Sequence, residues 1–261
     1  MSDVSPHLRC ARTGSTVHLT LCRAARRNAL DAALWRALAA QCEALRDSDA
    51  SVVVLAGEGG VFSAGADLVE LGGLLGDPDA MAANVALVQR TQATLARLPQ
   101  TTLALVDGDC FGGGLGLALA CDLRIASRRS RFALTPARLG LVYSAADTRR
   151  LVGVVGQAQA RRMLLCAPVL DADDALAAGL VHEVVADDAL EAARVRMLQA
   201  LDQTSPQARA GLKTVLAHVG GDPQAGAAAA EHAFAKGFAS TDFAEGSAAF
   251  LAKRAPRFSR E

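Results

Sequence analysis

The sequence predicts an α/β fold that ends in a purely helical segment. Three observations carry this. Short runs of strand length alternate with stretches of helical period, two of those runs lead into glycine-rich turns, and beyond about residue 200 only helical patterns remain. A soft boundary there divides the chain into a core over residues 1–200 and a C-terminal helical segment over residues 201–261.

Residues 16–22 alternate Val17, Leu19 and Leu21 with Thr16, His18 and Thr20, the period of a half-buried strand with His18 outward. Asp31 is a helix N-cap, after which Leu34, Leu38, Cys42 and Leu45 recur at helical spacing through Arg46. Trp35 lies off that stripe and is expected at an element boundary. Residues 51–56 (SVVVLA) are β-branched and read as a buried strand. A glycine-rich loop over 57–60 precedes residues 61–68. Residues 80–98 suit a long helix, 101–106 a strand, 112–120 a glycine-rich entry into a short helix, and 123–126 another strand. Helices are expected over 145–152, 157–166, 173–178 and 188–201, with a short strand over 181–185. Ser205-Pro206 is a good helix start, and Gly220-Gly221-Asp222-Pro223 a clear break.

Composition removes several function classes. Apolar residues make up 51% of the chain, enough for a proper core. Lys plus Arg and Asp plus Glu both number 27 and aromatics are only 4%, so neither the basic excess nor the stacking set of a nucleic-acid binder is present. Arg23, Arg26 and Arg27 still form a local cluster able to meet a phosphate-bearing small molecule. The six cysteines include no Cys-x-x-Cys pair and no His cluster accompanies them, so no metal site is expected. Residues 1–12 carry no export-signal pattern, which makes a reducing cytoplasm the expected compartment. The charge-free run over residues 110–121 is 12 residues long, too short to span a bilayer, and no membrane association is expected.

Two glycine-rich turns carry the chemistry. In Phe62-Ser63-Ala64-Gly65-Ala66-Asp67-Leu68 small residues let a ligand approach the main chain, so that amides rather than side chains do the binding. In Gly108-Asp109-Cys110-Phe111-Gly112-Gly113-Gly114-Leu115-Gly116 three glycines open a helix, exposing N–H groups at the positive end of its dipole. Dinucleotide binding fits poorly: a Gly-x-Gly-x-x-Gly frame from Gly112 would need glycine where Leu117 stands, and no nucleoside-triphosphate loop is present. Both turns serving only packing is the alternative.

Taken together and in order, these segments resemble the crotonase, or enoyl-CoA hydratase/isomerase, superfamily over nearly the whole chain. Arg27-Asn28-Ala29-Leu30 resembles its first coenzyme A contact segment, and residues 62–68 and 112–114 its paired oxyanion-hole motifs. Residues 121–126, 178–181 and 242–246, with Ala249-Phe250-Leu251 through Pro256, resemble later markers. The resemblance implies a spiral of ββα units, an acyl-coenzyme A thioester as substrate with no separate cofactor, and a helical C-terminal part that packs in trimers, often paired into hexamers. By position it makes the amides of Ala66 and Gly113 the oxyanion donors. It sets Ala64, Asp67 and Leu68 toward the adenine and Arg27 and Ala29 toward the phosphopantetheine. Phe250 and Lys253 then reach coenzyme A, that of a neighbouring subunit included.

Hydratases of the family use two glutamates to activate water and deliver a proton. Here the corresponding positions are Gly116 and Pro136, and neither can transfer a proton. Residues 135–143 instead resemble the family's methylmalonyl-CoA decarboxylases, including the interval from Thr135 to Tyr143, although Ala66 offers no polar side chain beside them. Decarboxylation needs no base to start: carbon dioxide leaves, the enolate rests in the oxyanion hole, and a weak acid reprotonates carbon. Tyr143 would donate or orient and Thr135 would orient the departing carboxylate, with plain packing at a helix start as the other reading of Tyr143. Asp109 is expected as an exposed turn carboxylate, Asp147 as a first-turn helix carboxylate, Asp122 as the anchor of a strand end, and His182 as a strand-edge residue. The expectation is thus an acyl-CoA lyase leaning to decarboxylation of a malonyl-type thioester. Its alternatives are a hydratase or isomerase with non-standard acid/base residues, and a non-catalytic acyl-CoA-binding subunit.

Overall fold

Consecutive residues of the valine-rich run face different cores, which is why its pattern is continuously apolar. In the computed structural model, which describes residues 5–258, Val53 and Leu55 pack into the larger core. Val52 and Val54 pack into a second one on the opposite face of the same sheet. Removing one such side chain from water stabilises the fold by ~1.5–3 kcal/mol, so a strand buried on both faces anchors the whole layer.

The chain begins with a hairpin, β1 (Leu8–Thr13) and β2 (Thr16–Leu21), followed by α1 (Ala32–Arg46), β3 (Val52–Gly57), α2 (Leu68–Gly73) and α3 (Pro78–Ala96). Two ββ units follow: β4 (Thr101–Val106) and β5 (Asp109–Phe111) lead into α4 (Gly113–Ala120), and β6 (Leu123–Ser127) and β7 (Arg131–Ala133) into α5 (Ala145–Arg161). Next come α6 (Ala172–Ala177), β8 (Glu183–Val185) and α7 (Leu190–Asp202). The helices α8 (Pro206–Val219), α9 (Ala227–Phe238) and α10 (Thr241–Leu251) close the chain.

The main sheet has the order β1-β2-β3-β4-β6-β8, parallel except for the first pair. β5 and β7 form a second, parallel sheet, which the parallel bridge between Ser63 and Cys110 extends. Each turn of the coil therefore lays one strand in the main sheet and one short strand or bridge in the small one. This is the spiral of ββα units that the resemblance implies.

Most elements lie where local patterning puts them. Asp31 caps α1 by accepting from the Leu34 amide at 2.8 Å, and Ser205 caps α8 with Pro206 at its first position. Asp122 anchors its strand end as expected, accepting from the Thr102 amide at 2.7 Å and from Lys213 Nζ at 2.7 Å. Four findings differ. β1, β5 and β7 carry no readable period and are set by their partners. The helices expected over 145–152 and 157–166 meet end to end at Gly156, whose φ of 71° breaks the helical path. Trp35 sits inside α1, 3% exposed, and its indole walls the site described below. Asp109 is buried rather than exposed, held by the guanidinium groups of Arg27 and Arg131. Among the described residues no helix is long and apolar enough to cross a membrane.

Candidate active site

The first glycine-rich turn is fastened along almost its entire backbone. Ser63 N donates to Asp109 O and Phe111 N to Ser63 O, both at 2.9 Å, which zips the turn onto β5. Ala64 N donates to Arg27 O at 2.9 Å, Gly65 N to Ser63 Oγ at 3.1 Å, and Asp67 N to Leu30 O at 3.1 Å. Ser63 Oγ in turn donates to Asn28 O at 2.8 Å. Asn28, wholly buried, holds the other side by donating to the carbonyls of Glu58 and Val61. Leu30 and Ala66 form a parallel bridge, in which the neighbours of Ala66 make the bonds and its own N–H points the other way. Among the described residues the Ala66 amide has no acceptor, and the residue is exposed.

The second turn leaves a matching donor. Gly112, at φ 50° and ψ −117°, turns β5 into α4 and donates to Ala133 O at 2.9 Å. Gly113 is the first residue of that helix, where helix geometry supplies no acceptor for its N–H. The dipole of α4 adds partial positive charge at the same place. The two turns touch: a Cβ on Gly113 would lie 3.8 Å from Ala66 N, 3.3 Å from Leu30 Cδ1 and 3.7 Å from Trp35 Cζ2. Two unspent amides thus sit side by side against an apolar wall. That is an arrangement for binding an oxygen that gains negative charge.

One helical turn along α4 lies Gly116. A Cβ there would stand 2.6 Å from Gln92 Nε2 and 3.5 Å from the Tyr143 hydroxyl. Gln92 is 2% exposed, and Arg150 Nη1 donates to its Oε1 at 3.3 Å. The same Nη1 donates to Asp147 Oδ1 at 2.6 Å, and Asp147 also accepts from Gln89 and Ser144. The Tyr143 oxygen is buried without a hydrogen-bond partner, although the rest of the residue is partly exposed. Burial first, and the negative charge of Asp147 second, push its pKa up, so the phenol keeps its proton. Thr135 heads the tight 3-10 turn Pro136–Leu139, the segment that the resemblance sets against the second glutamate.

The remaining expected site residues are distributed as follows. Asp67 caps α2 through the amides of Val69 and Glu70 and pairs with Arg23 at 3.1 Å. Leu68 and Arg27 are exposed, while Ala29 and Ala64 are half-exposed. Phe250, 83% exposed, lies on α10 in a groove of about 1700 Å³ between α8, α9 and α10. None of Ala66, Gly113 and Tyr143 lines that groove, so within one chain Phe250 is not brought to the amide pair. Lys253 follows α10 and is exposed. Sequence reasoning missed Gln92 and Arg150. The one available signal was a glutamine on the inward stripe of α3, between Val88 and Leu95 at helical spacing.

The profile of the family described as enoyl-CoA hydratase/isomerase matches residues 12–261. The chain belongs to the enoyl-CoA hydratase/isomerase family. It is 35% identical to the 2,3-dehydroadipyl-CoA hydratase of Escherichia coli (strain K12), over 92% of this chain and 93% of that one. It is 30% identical to the mitochondrial methylglutaconyl-CoA hydratase of Mus musculus, over 98% of this chain and 82% of that one. An enoyl-CoA hydratase/carnithine racemase from Magnetospirillum magneticum superposes with a TM-score of 0.91 at 32% identity, covering 98% of this chain and 96% of the other. As a member of the enoyl-CoA hydratase/isomerase family, the protein is an acyl-CoA-processing enzyme. Around position 116 it presents an amide and a phenol.

Proposed function

We propose that the amides of Ala66 and Gly113 form an oxyanion hole, and that the thioester enolate they hold is made by decarboxylation of a malonyl-type acyl-CoA. The observation that carries this is that, among the described residues, donors rather than a free base border Gly116. Gln92 and Tyr143 border Gly116 as donors, whereas Asp147 is committed to Arg150, Gln89 and Ser144, and Asp109 to Arg27 and Arg131. Hydration needs a group to activate water and another to deliver a proton, each worth ~10²–10⁴ in rate. Loss of carbon dioxide needs neither at the outset. The C–C bond electrons move onto the thioester oxygen, the two amides stabilise it, and the Tyr143 hydroxyl returns a proton to the α-carbon. Solvent then reprotonates the phenolate. Thr135 orients the departing carboxylate.

The second reading is hydration or isomerisation with non-standard acid/base residues, favoured by the names of the relatives. Incubation with methylmalonyl-CoA and, separately, crotonyl-CoA tests the two. Carbon dioxide release from the first with slow or no hydration of the second is expected. Fast hydration of crotonyl-CoA that persists in Tyr143→Phe would overturn decarboxylation. Coenzyme A binding without turnover of any thioester would leave a binding subunit instead.

Assembly as a homotrimer, or as a pair of trimers, belongs to the same reading. The exposed Phe234, Phe238, Phe250 and Leu251 of α9 and α10 supply an apolar face that association would cover, and Phe250 and Lys253 would then reach a neighbour's coenzyme A. Sedimentation of the intact protein checks it, with a single monomeric species as the contrary result.

A further inference from the structure

Gln92 occupies the space that the missing side chain of Gly116 vacates, and its orientation is dictated. A guanidinium has donors only, so the contact from Arg150 Nη1 requires the amide oxygen of Gln92 to face it. The Nε2 is thereby turned to the Gly116 side, next to the Tyr143 hydroxyl, and among the described residues it has no acceptor. The Tyr143 hydroxyl is buried without a partner, at a cost in stability that a ligand acceptor would relieve, and Gln92 Nε2 borders the same glycine. They lie about 5 Å along α4 from Gly113, the rise of one short turn. A thioester whose carbonyl rests on Gly113 N reaches that distance with a substituent on its β-carbon.

We propose that Gln92 is a specificity-determining residue, donating from Nε2 to an oxygen on the β-carbon of the acyl group, with Arg150 as the positioning residue that fixes the amide. The inference rests on the acyl-CoA reading of the amide pair and deepens it: the substrate class is a thioester whose β-carbon is itself a carboxylate or ketone carbon. A neutral donor suits a carboxylate that must leave. It orients the group while stabilising the ground-state charge less than a cation would. Arg150 is close enough to orient Gln92, yet it spends its own charge on Asp147 at 2.6 Å.

The test compares two thioesters that the proposed reaction leaves intact. Acetoacetyl-CoA carries a β-oxygen and no carboxylate; butyryl-CoA has the same carbon chain without the oxygen. Calorimetric titration of the intact protein is expected to show acetoacetyl-CoA binding ~10-fold tighter, the worth of one well-placed hydrogen bond. In Gln92→Met, which keeps the volume and removes the donor, the ratio should fall to about one with butyryl-CoA affinity unchanged. Gln92→Glu, which replaces the donor by a charged acceptor, should invert it. Arg150→Met should lower the ratio without weakening butyryl-CoA, which loss of packing alone would not do. Equal binding of the two thioesters to the wild type, or equal weakening of both by Gln92→Met, would overturn the role of Gln92 and leave the enolate reading standing. Failure of both thioesters to bind would overturn the two readings together.

Discussion

A Cβ on Gly65 would stand 3.4 Å from the amide nitrogen of Gly113 and 2.9 Å from the Phe111 carbonyl oxygen. The spacing of the two free amides therefore depends on an atom that Gly65 does not have. Its φ of 95° is also one that other residues adopt only under strain. Gly65→Ala is expected to cost ~1–3 kcal/mol of stability through that strain. Turnover should fall by ~10²–10³, because prising the turns apart removes a donor from the hole. Gly72→Ala, inside α2 with nothing within 4 Å, should leave turnover unchanged and stability equal or higher by up to ~1 kcal/mol. Thermal unfolding and a steady-state assay on both variants check the contrast.

Tyr143 separates stability from function. Its hydroxyl is buried without a partner, so Tyr143→Phe removes a desolvated polar atom and should leave the fold equally stable or more stable by ~1 kcal/mol. Turnover of a malonyl-type thioester should nevertheless drop ~10²–10⁴, the range of a general-acid contribution. Burial raises the phenol above its ordinary value near ~10, so in the wild type no alkaline loss of rate below about pH 10 should trace to its ionisation. Loss of stability with unchanged turnover would make it a packing residue.

What local chemistry dictates was legible, and what distant contacts dictate was not. The valine run of β3, the Asp31 cap and the glycine-rich turns each carry their reason within a few residues, and the two turns marked where unspent amides would be. The Gln92–Arg150–Asp147 cluster joins α3 and α5 across 58 residues of sequence, and neither helix announces it beyond one inward glutamine. Asp109 looked like a surface turn because its partners, Arg27 and Arg131, are brought in by other elements. β5 and β7, of three residues each, are too short to show a period and exist through pairing with each other.

His182 makes stability fall in mild acid. Its Nδ1 accepts from the Arg124 amide at 3.1 Å, which requires the neutral ring. Burial and then the Arg124 guanidinium hold its pKa below the ordinary value of about 6.5. The unfolded chain binds the proton first, so this contribution is complete above pH ~6.5 and is lost as pH falls from there toward the depressed folded value. The loss cannot exceed ~1.4 kcal/mol per pH unit for one group. His182→Asn keeps an acceptor and does not titrate. Denaturant unfolding at pH 7.5 and pH 5 should show a smaller difference for the variant than for the wild type; identical differences would remove His182 from the account.

Gly114 and Gly116 lie on the same helix and should respond oppositely to alanine. A Cβ on Gly114 would meet Ser63 Cβ at 2.6 Å and the Ser63 backbone oxygen at 2.9 Å, in a turn held by its own hydrogen bonds. Nothing there can yield cheaply, and Gly114→Ala should destabilise the protein by ~1–3 kcal/mol, as overpacking does. A Cβ on Gly116 meets only the end of the Gln92 side chain at 2.6 Å, which can swing away. Gly116→Ala should therefore be nearly neutral, the ~1 kcal/mol gained by replacing a mid-helix glycine offsetting the displacement. Its effect should appear in binding instead. With Gln92 pushed aside, the preference for acetoacetyl-CoA over butyryl-CoA should disappear although Gln92 itself is intact. An unaltered preference in a well-folded Gly116→Ala protein would mean that the amide recognises its ligand from another position.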